Sequence, residues 1–193
     1  MANMASVAYA IEGPEIILKR IKSCITKAIK TNDTYWTEYT ACTLLGIPRK
    51  TLEDKRLGGE ISEEPYIDKS HHSLRFCAEE RWGLQDFNDI LKEHFPELII
   101  YWSVEELGNG VYTTNDKGGK YFFDRFYCEL WQDDQCVLEY FSTEDSMYKW
   151  LSKQTQGRVY DAPTVEKFNR DYEETGDDGE NYISIYQCKV VDD

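Results

Sequence analysis

The sequence predicts an α+β fold in which helices pack on one face of a largely antiparallel sheet. Three observations lead to this prediction. Aromatic and β-branched residues form short runs, as expected for strands that are half buried. Helical stretches separate some of these runs but not others, which is typical of α+β proteins. The chain has 193 residues, enough to bury a core without disulfides or metals, and one domain is the expected number.

The chain opens with a predicted strand and helix. Residues 6–12 alternate in character, as a half-buried strand does. Gly13 and Pro14 then lead into a predicted helix over 15–29, because proline lacks the N–H that an early helical position leaves unpaired in any case. Apolar residues recur in this stretch at helical spacing and form one stripe, so we expect that side of the helix to be buried.

A helical insertion is expected over residues 31–72. Residues 40–61 superficially resemble a helix-turn-helix, with Gly46 at the turn. A recognition helix, however, presents basic and polar residues to a groove, and the second helix here would be short and of mixed charge. We therefore favour helices that pack beside the sheet, followed by a polar loop over 62–72 that contains Pro65.

The middle of the chain combines one helix with several strands and turns. The helix is expected to end before Pro96, because the residue before a proline disfavours helical geometry. Residues 107–110 carry two glycines and an asparagine, which indicates a turn or a bulge. In order, the predicted elements are a strand at 74–79, a helix at 84–95, and strands at 98–104, 111–114 and 121–131.

The last third is predicted to contain a hairpin, two helices and a closing strand. Asp133 and Asp134 turn the chain into a strand at 136–141. Residues 142–145 are favourable N-cap residues for a helix that runs to 154, and residues 161–164 offer a second cap for a helix that runs to 174. An acidic loop and a strand at 182–191 complete the order.

This order is typical of a ferredoxin-like sheet, antiparallel or mixed, with helices mainly on one face. Its signature is a split β-α-β unit whose two strands have an antiparallel neighbour. We expect a single domain over residues 1–193. Its core covers 6–131 with the helical insertion at 31–72, and residues 132–193 form a C-terminal α/β extension packed on that core.

Several stretches resemble the YubB/Api92-like family of ferredoxin-fold domains, which plasmids, phages and conjugative elements carry. The opening AIEGPEIILKRI is similar to the family's first strand and helix, and LGGEI at 57–61 to the element before its second strand. Three motifs also match: E-R-W at 80–82, H-F-P at 94–96, and E-E-L-G at 105–108, where Leu107 replaces the family's proline. The resemblance covers residues 6–131 and implies a ferredoxin-like fold and a mobile-element context, with no assigned activity.

Composition narrows the classes of partner and cofactor. The net charge is −14, from 36 acidic and 22 basic residues, which disfavours nucleic-acid backbones and anionic membranes because both require a basic face. The six cysteines form no CxxC motif and there are three histidines, so no metal or cofactor is expected. The first residues lack the pattern of a signal peptide, and we expect a reduced, cytoplasmic protein.

Four glutamates are expected at the ends of two neighbouring strands: Glu79, Glu80, Glu105 and Glu106. Clustered carboxylates can act as acid and base or bind hard metal ions. Without a nucleophile, His or Lys at a defined spacing they support no catalytic or metal assignment. Tyr, Trp and Arg nearby favour a partner-binding face instead. The candidate binding residues are Glu80, Trp82, Glu105, Glu106, Asn109, Tyr112, Asn115, Asp116, Tyr121 and Arg125.

The leading hypothesis is a non-enzymatic interaction protein of a mobile genetic element, which binds a protein partner through the surface around 105–125. An alternative is an acidic DNA mimic that inhibits a nuclease or restriction enzyme, because residues 166–193 carry nine acids and three bases. A second alternative is a small hydrolase, which requires a pocket holding Glu80 and Glu105 with a raised pKa for at least one of them. A further alternative is a homodimer in which edge strands of two copies pair with each other.

Overall fold

The computed structural model of the protein describes residues 4–31, 36–81, 83–132, 135–175 and 181–192. Its secondary structure is mixed α and β, which confirms the α+β class. The chain divides into two compact units, one of residues 1–117 with 191–193 and one of residues 118–190. This division falls at 117/118, ahead of the boundary at 131/132 that the sequence suggested between core and extension. The description of the chain as one domain stays a prediction.

The first unit begins with the expected strand and helix and then enters the insertion. Its elements in chain order are β1 (Met4–Glu12), α1 (Glu15–Lys30), α2 (Thr37–Leu44), α3 (Arg49–Leu52), β2 (Gly59–Glu60), β3 (Tyr66–Asp68), β4 (Ser73–Arg81), α4 (Phe87–His94), β5 (Ile99–Glu106) and β6 (Val111–Thr114). A 3₁₀ turn at Leu107–Asn109 links the last two strands. The insertion is therefore partly helical, and each long strand and helix predicted up to residue 114 is present.

One prediction in the insertion is wrong. Residues 62–72 were expected to form a loop, but β3 lies within them and pairs with β4 in antiparallel register. The strand has three residues, and Ile67 packs against the hydrophobic core. A strand this short has no alternating pattern of its own, and the neighbouring strand supplies the hydrogen-bonding partners that define it.

The sheet of the first unit has β1 at its centre. The strand order is β6-β5-β1-β4-β2, with β3 also paired to β4. β1 is antiparallel to both β4 and β5, and β2 and β6 are antiparallel to their neighbours β4 and β5. The strands that carry the predicted glutamates, β4 and β5, therefore lie on either side of β1 and are not adjacent to each other.

The core of the first unit lies between its helices and one face of this sheet. On β1, the alternate residues Val7, Tyr9 and Ile11 are buried, and the ring of Tyr9 stacks on Phe76 of β4 with 4.8 Å between centroids. The predicted apolar stripe of α1 is confirmed, because its members join the same cluster: Leu18, Ile21, Cys24 and Ile25. Ser6 on the other face of β1 is exposed.

The second unit contains a three-stranded sheet and two helices. Its elements are β7 (Phe126–Gln132), β8 (Gln135–Phe141), α5 (Glu144–Gln154), α6 (Ala162–Thr175), β9 (Tyr182–Gln187) and β10 (Lys189–Val190). β7 is central and antiparallel to β8 and β9. One face carries the core of this unit, which includes Cys128, Leu130, Phe141, Met147, Leu151, Phe168 and Ile183.

The strand predicted at 121–131 begins only at Phe126. Both neighbouring strands end opposite this residue, at Phe141 and at Gln187. The ladder closes with the backbone hydrogen bonds of Arg125 to Phe141 and Cys188, so residues 121–124 lie beyond it. The two helix caps are confirmed. The Thr143 hydroxyl accepts a hydrogen bond from the Ser146 N–H at 3.2 Å.

At the second cap, the Asp161 carboxylate accepts a hydrogen bond from the Thr164 N–H at 3.0 Å.

All six cysteines are free thiols, and Cys77 and Cys136 are exposed. Among the helices in the described part of the chain, none combines the length and the apolar character needed to cross a membrane.

Candidate functional site

A cleft of about 430 Å³ opens at the ends of β1, β4 and β5 in the first unit. The residues that line it are Met4, Ser6, Glu79, Glu105, Glu106, Gly108 and Asn109, and we call this the glutamate cleft. It contains three of the ten predicted site residues, Glu105, Glu106 and Asn109. It also contains Glu79, which belonged to the predicted glutamate cluster. Of the described residues that line it, three are carboxylates and none is basic.

The register of β1 with its two neighbours builds the cleft. Ser6 lies opposite Glu79 on one side and Glu105 on the other, and directly opposed residues on neighbouring strands share a face. Because serine is small and exposed, it leaves a gap between the two carboxylates. Tyr112 of β6 continues the row beyond Glu105, and its side chain is buried. Sequence reasoning missed Ser6, because only the register shows that it separates the two acids.

The turn after β5 closes one side of the glutamate cleft. The Asn109 side-chain N–H donates a hydrogen bond to the Glu106 carboxylate, which ties the turn to the strand end. Gly110 follows with a φ of 67°, in the left-handed region that glycine adopts without strain. The glycine-rich signal at 107–110 therefore marks a tight turn that places Glu106 and Asn109 at the rim of the cleft.

The charge of the cleft extends along the exposed face of β4. Cys77 is exposed and lies two residues before Glu79 on the same face of the strand. Desolvation by neighbouring side chains, followed by the carboxylates of Glu63, Glu79 and Glu105, raises the pKa of its thiol against the opposing effect of Arg75. This face of the sheet therefore favours positive charge and disfavours anions.

Glu80 lies on the opposite face of β4 from Glu79, because successive residues of a strand alternate. Its side chain is fully buried. The Tyr9 hydroxyl donates to its Oε1 at 2.5 Å, and the Gln85 N–H donates to its Oε2 at 2.5 Å. The structure thus separates Glu80 from Glu105, and the pocket that a hydrolase built on this pair requires does not form among the described residues.

A second buried glutamate, Glu38 of α2, lies beside Glu80, because its carboxyl meets Gly59 and Gly59 is paired with Glu80 of β4. The Gly59 N–H donates to its Oε2 at 3.0 Å. A Cβ added to Gly59 would lie 2.2 Å from the Glu38 carboxyl carbon, so this close approach requires glycine. Sequence reasoning missed Glu38; the available signal was a lone acid in the otherwise uncharged helical stretch TEYTACTL.

Two further predicted site residues stabilise the corner after β6. The Asn115 amide accepts a hydrogen bond from the Trp102 N–H and donates one to the Ile100 carbonyl, both at 2.8 Å. It therefore takes the place of strand backbone beside β5. Asp116 is buried, and its N–H donates to the Thr114 hydroxyl at 3.1 Å.

The remaining predicted residues are two in the second unit and one outside the described part of the chain. Tyr121 and Arg125 belong to the second unit, where the Arg125 guanidinium donates to the Phe122 carbonyl at 2.9 Å. Trp82 lies outside the described residues. Within the part of the chain that the structure describes, no group of three His, Cys, Asp or Glu side chains could hold a metal ion.

Comparison with known proteins gives no evidence on the family or the function of this chain. No protein-family model, no curated protein and no solved structure matches this chain.

Proposed function

We propose that the protein is a non-enzymatic binding module that takes a basic segment of a partner protein into the glutamate cleft. The observation that carries this proposal is the row across β4, β1 and β5, in which Ser6 separates Glu79 from Glu105. Glu106 adds a third carboxylate at the rim. Carboxylates form their strongest hydrogen bonds with charged donors, and arginine can bind two oxygens at once.

The size and lining of the cleft also favour a basic side chain. A volume of about 430 Å³ lies at the low end of the usual range for ligand pockets, about 300–1,000 Å³. Met4 is 40% exposed at its edge and offers apolar contact to the methylene stem of arginine or lysine. The guanidinium group suits the site better than an ammonium group, because its planar donors span two acceptors.

The position of Glu38 and Glu80 favours binding over hydrolysis in the cleft. Glu38 and Glu80, two carboxyls of the first unit whose pKa burial raises, are buried on the other face of the sheet. A general acid in the cleft would need a raised pKa of its own together with a nucleophile or base.

The DNA-mimic alternative stays a prediction, since part of the acidic stretch on which it depends, residues 176–180, lies outside the described residues.

We also propose that the first unit is a ferredoxin-like domain with an insertion. The strand order β5-β1-β4-β2 with antiparallel neighbours supports this proposal. The positions of α1 between β1 and β2, and of α4 between β4 and β5, also fit the split β-α-β arrangement. A mobile-element origin stays a prediction from the resemblance.

Binding to short peptides of defined charge tests the proposed function. Fluorescence anisotropy would compare peptides that differ only in a central Arg, Lys, Gln or Glu, and we expect affinity to fall in that order. The double variant Glu79→Gln/Glu105→Gln should weaken binding of the Arg peptide by about 5–30-fold, since each partly exposed charge pair contributes roughly 0.5–1 kcal/mol.

The matched control carries the same change in net charge away from the cleft. Glu53 and Glu97 are exposed, and Glu53→Gln/Glu97→Gln should leave the affinity for the Arg peptide within twofold of wild type. Equal losses in both double variants would show that binding follows net charge alone, and no loss in the cleft variant would exclude the cleft as the binding site.

A further inference from the structure

The buried Glu38–Glu80 pair joins the insertion to the sheet. Glu38 belongs to α2, and its carboxyl accepts the Gly59 N–H of β2. Glu80 belongs to β4 and accepts the Tyr9 hydroxyl of β1 and the Gln85 N–H that precedes α4. One compact network therefore holds together three strands, one helix and the approach to a second helix, and Glu38 is its link to the helical part of the insertion.

Among the described residues, the groups that act on this pair provide no compensating positive charge. Glu60 of β2 acts on Glu38, Asp89 of α4 acts on Tyr9, and Cys42 of α2 lies beside Glu38. Each of these groups is neutral or negative. Arg81, which follows Glu80 in β4, places its guanidinium over the Trp36 ring, 4.4 Å from the ring centroid.

Hydrogen-bond accounting requires a proton between the two carboxyls. An ionised carboxylate only accepts hydrogen bonds, so two ionised carboxylates in contact cannot bond to each other. The Glu38 Oε1 is buried and has no hydrogen-bond partner among the described groups. The same carboxyl lies against Gly59, which is paired with Glu80 across the two strands, so the two carboxyls are neighbours in the core. A proton on one carboxyl supplies the missing donor, as in other pairs of closely spaced carboxylates.

We propose that a single proton shared by Glu38 and Glu80 fastens the insertion to the sheet, and that α2 and β2 detach when alkaline solution removes this proton. Without the proton, two negative charges face each other in a buried site. Such a site tolerates unpaired charge poorly. Glu38 is the residue that moves, because Glu80 keeps its donors from Tyr9 and Gln85.

The electrostatics of the pair support the same assignment. Burial, followed by the Glu80 charge, raises the pKa of Glu38 well above its ordinary value. Burial also raises the pKa of Glu80, but the hydrogen bonds from Tyr9, Glu38 and Gln85 oppose that rise. Glu80 already accepts hydrogen bonds from two donors and Glu38 from one, so the geometry favours Glu38 as the carboxyl that holds the proton.

The direction of the pH effect follows from proton counting. A glutamate in the unfolded chain loses its proton near pH 4.3, whereas the folded pair keeps one to higher pH. Between those limits the folded state binds one proton more than the unfolded state. The folding equilibrium constant therefore falls about tenfold per pH unit as pH rises through this window.

Infrared spectroscopy of the folded protein at pH 7 tests whether the proton is present. Wild type should show the C=O stretch of a protonated carboxyl, and Glu38→Gln should lack it, since the amide keeps one donor and one acceptor in place. Two controls should retain the band. These are Glu79→Gln on the exposed face of β4 and Asp124→Asn, which removes another acid with a raised pKa.

Absence of the band in wild type, or its persistence in Glu38→Gln, would overturn the proposal. Should Glu38→Gln fail to fold, the wild-type and Asp124→Asn spectra still decide, because a band that is missing from either of them refutes a proton on this pair.

Urea unfolding between pH 5 and 9 tests the consequence for stability. The folding equilibrium constant of wild type should fall relative to that of Glu38→Gln by about tenfold per pH unit until the shared proton is lost. Parallel pH profiles for the two proteins would refute the proposal. Because Tyr9 also titrates in alkaline solution, Tyr9→Phe should keep the decline below pH 9, and loss of that decline would assign it to Tyr9 instead.

Hydrogen exchange at the Gly59 amide tests detachment of the insertion. After correction for the intrinsic exchange rate, protection of this N–H in wild type should fall as the infrared band disappears, while that in Glu38→Gln should not. Unchanged protection at a pH where the band is gone would show that the insertion stays attached without the proton. None of the three experiments measures binding at the glutamate cleft, so all three stand apart from the proposed function.

Discussion

Replacing Gly59 with alanine tests the packing of the buried carboxyl pair. A Cβ at this position would lie 2.2 Å from the Glu38 carboxyl carbon and 2.4 Å from both of its oxygens. These distances are far below van der Waals contact, so the carboxyl must move. Glu38 has a flexible side chain, but it is fully buried, and movement breaks its hydrogen bond with the Gly59 N–H and its contact with Glu80.

The expected cost follows from the groups left unpaired. A buried donor or acceptor without a partner costs about 1–3 kcal/mol, and the displaced Glu38 leaves the Gly59 N–H and one carboxyl contact unsatisfied. Alanine recovers about 0.4–1 kcal/mol by restricting the unfolded chain. The net loss in the free energy of unfolding should therefore be about 1–5 kcal/mol.

The neighbouring glycine supplies a matched control. A Cβ on Gly58 would meet the Arg81 side chain at 3.7 Å, an ordinary contact, so Gly58→Ala should change the free energy of unfolding by less than about 0.5 kcal/mol. Urea unfolding at pH 6 measures both variants. In a Glu38→Ala background the Gly59→Ala cost should largely disappear, because the clashing carboxyl is gone. Equal stabilities of the two alanine variants would refute this account of the site.

Two further outcomes are expected. Asn115→Ala should lower the free energy of unfolding by about 1–3 kcal/mol, because the Trp102 N–H and the Ile100 carbonyl each lose a partner; a loss below 0.5 kcal/mol in urea unfolding would show that water replaces the amide. In the native protein, a thiol reagent should label Cys77 and Cys136, the two exposed cysteines, and react with the other four only in denaturant; rapid labelling of more than two native thiols would contradict their burial.

Most of the secondary structure was predictable from local pattern. The apolar stripe of α1 and the alternation of β1 appear in a few consecutive residues, and both elements are present. The caps at Thr143 and Asp161 also depend on neighbours within three residues. β3 and the start of β7 were mispredicted because each depends on where another strand begins or ends.

The candidate site was only partly predictable. The sequence placed glutamates at the ends of β4 and β5, and Glu79, Glu105 and Glu106 do line one cleft. It also grouped Glu80 with them, although strand alternation puts Glu80 on the opposite face. The apolar residues Leu74, Phe76 and Ala78 alternate along β4 and place Glu80 on the core face, so this local pattern already distinguished it from Glu79.

The sequence by itself determined the order of strands and helices, the acidic character of the protein and the acidic strand ends, because each follows from short-range pattern or composition. The tertiary structure alone decided that Ser6 separates two glutamates and that Glu38 meets Glu80 in the core. Both contacts join residues far apart in the chain. Strand register and the packing of α2 on the sheet set the geometry of these two contacts. The residues that flank each contact in the sequence do not indicate the register or the packing.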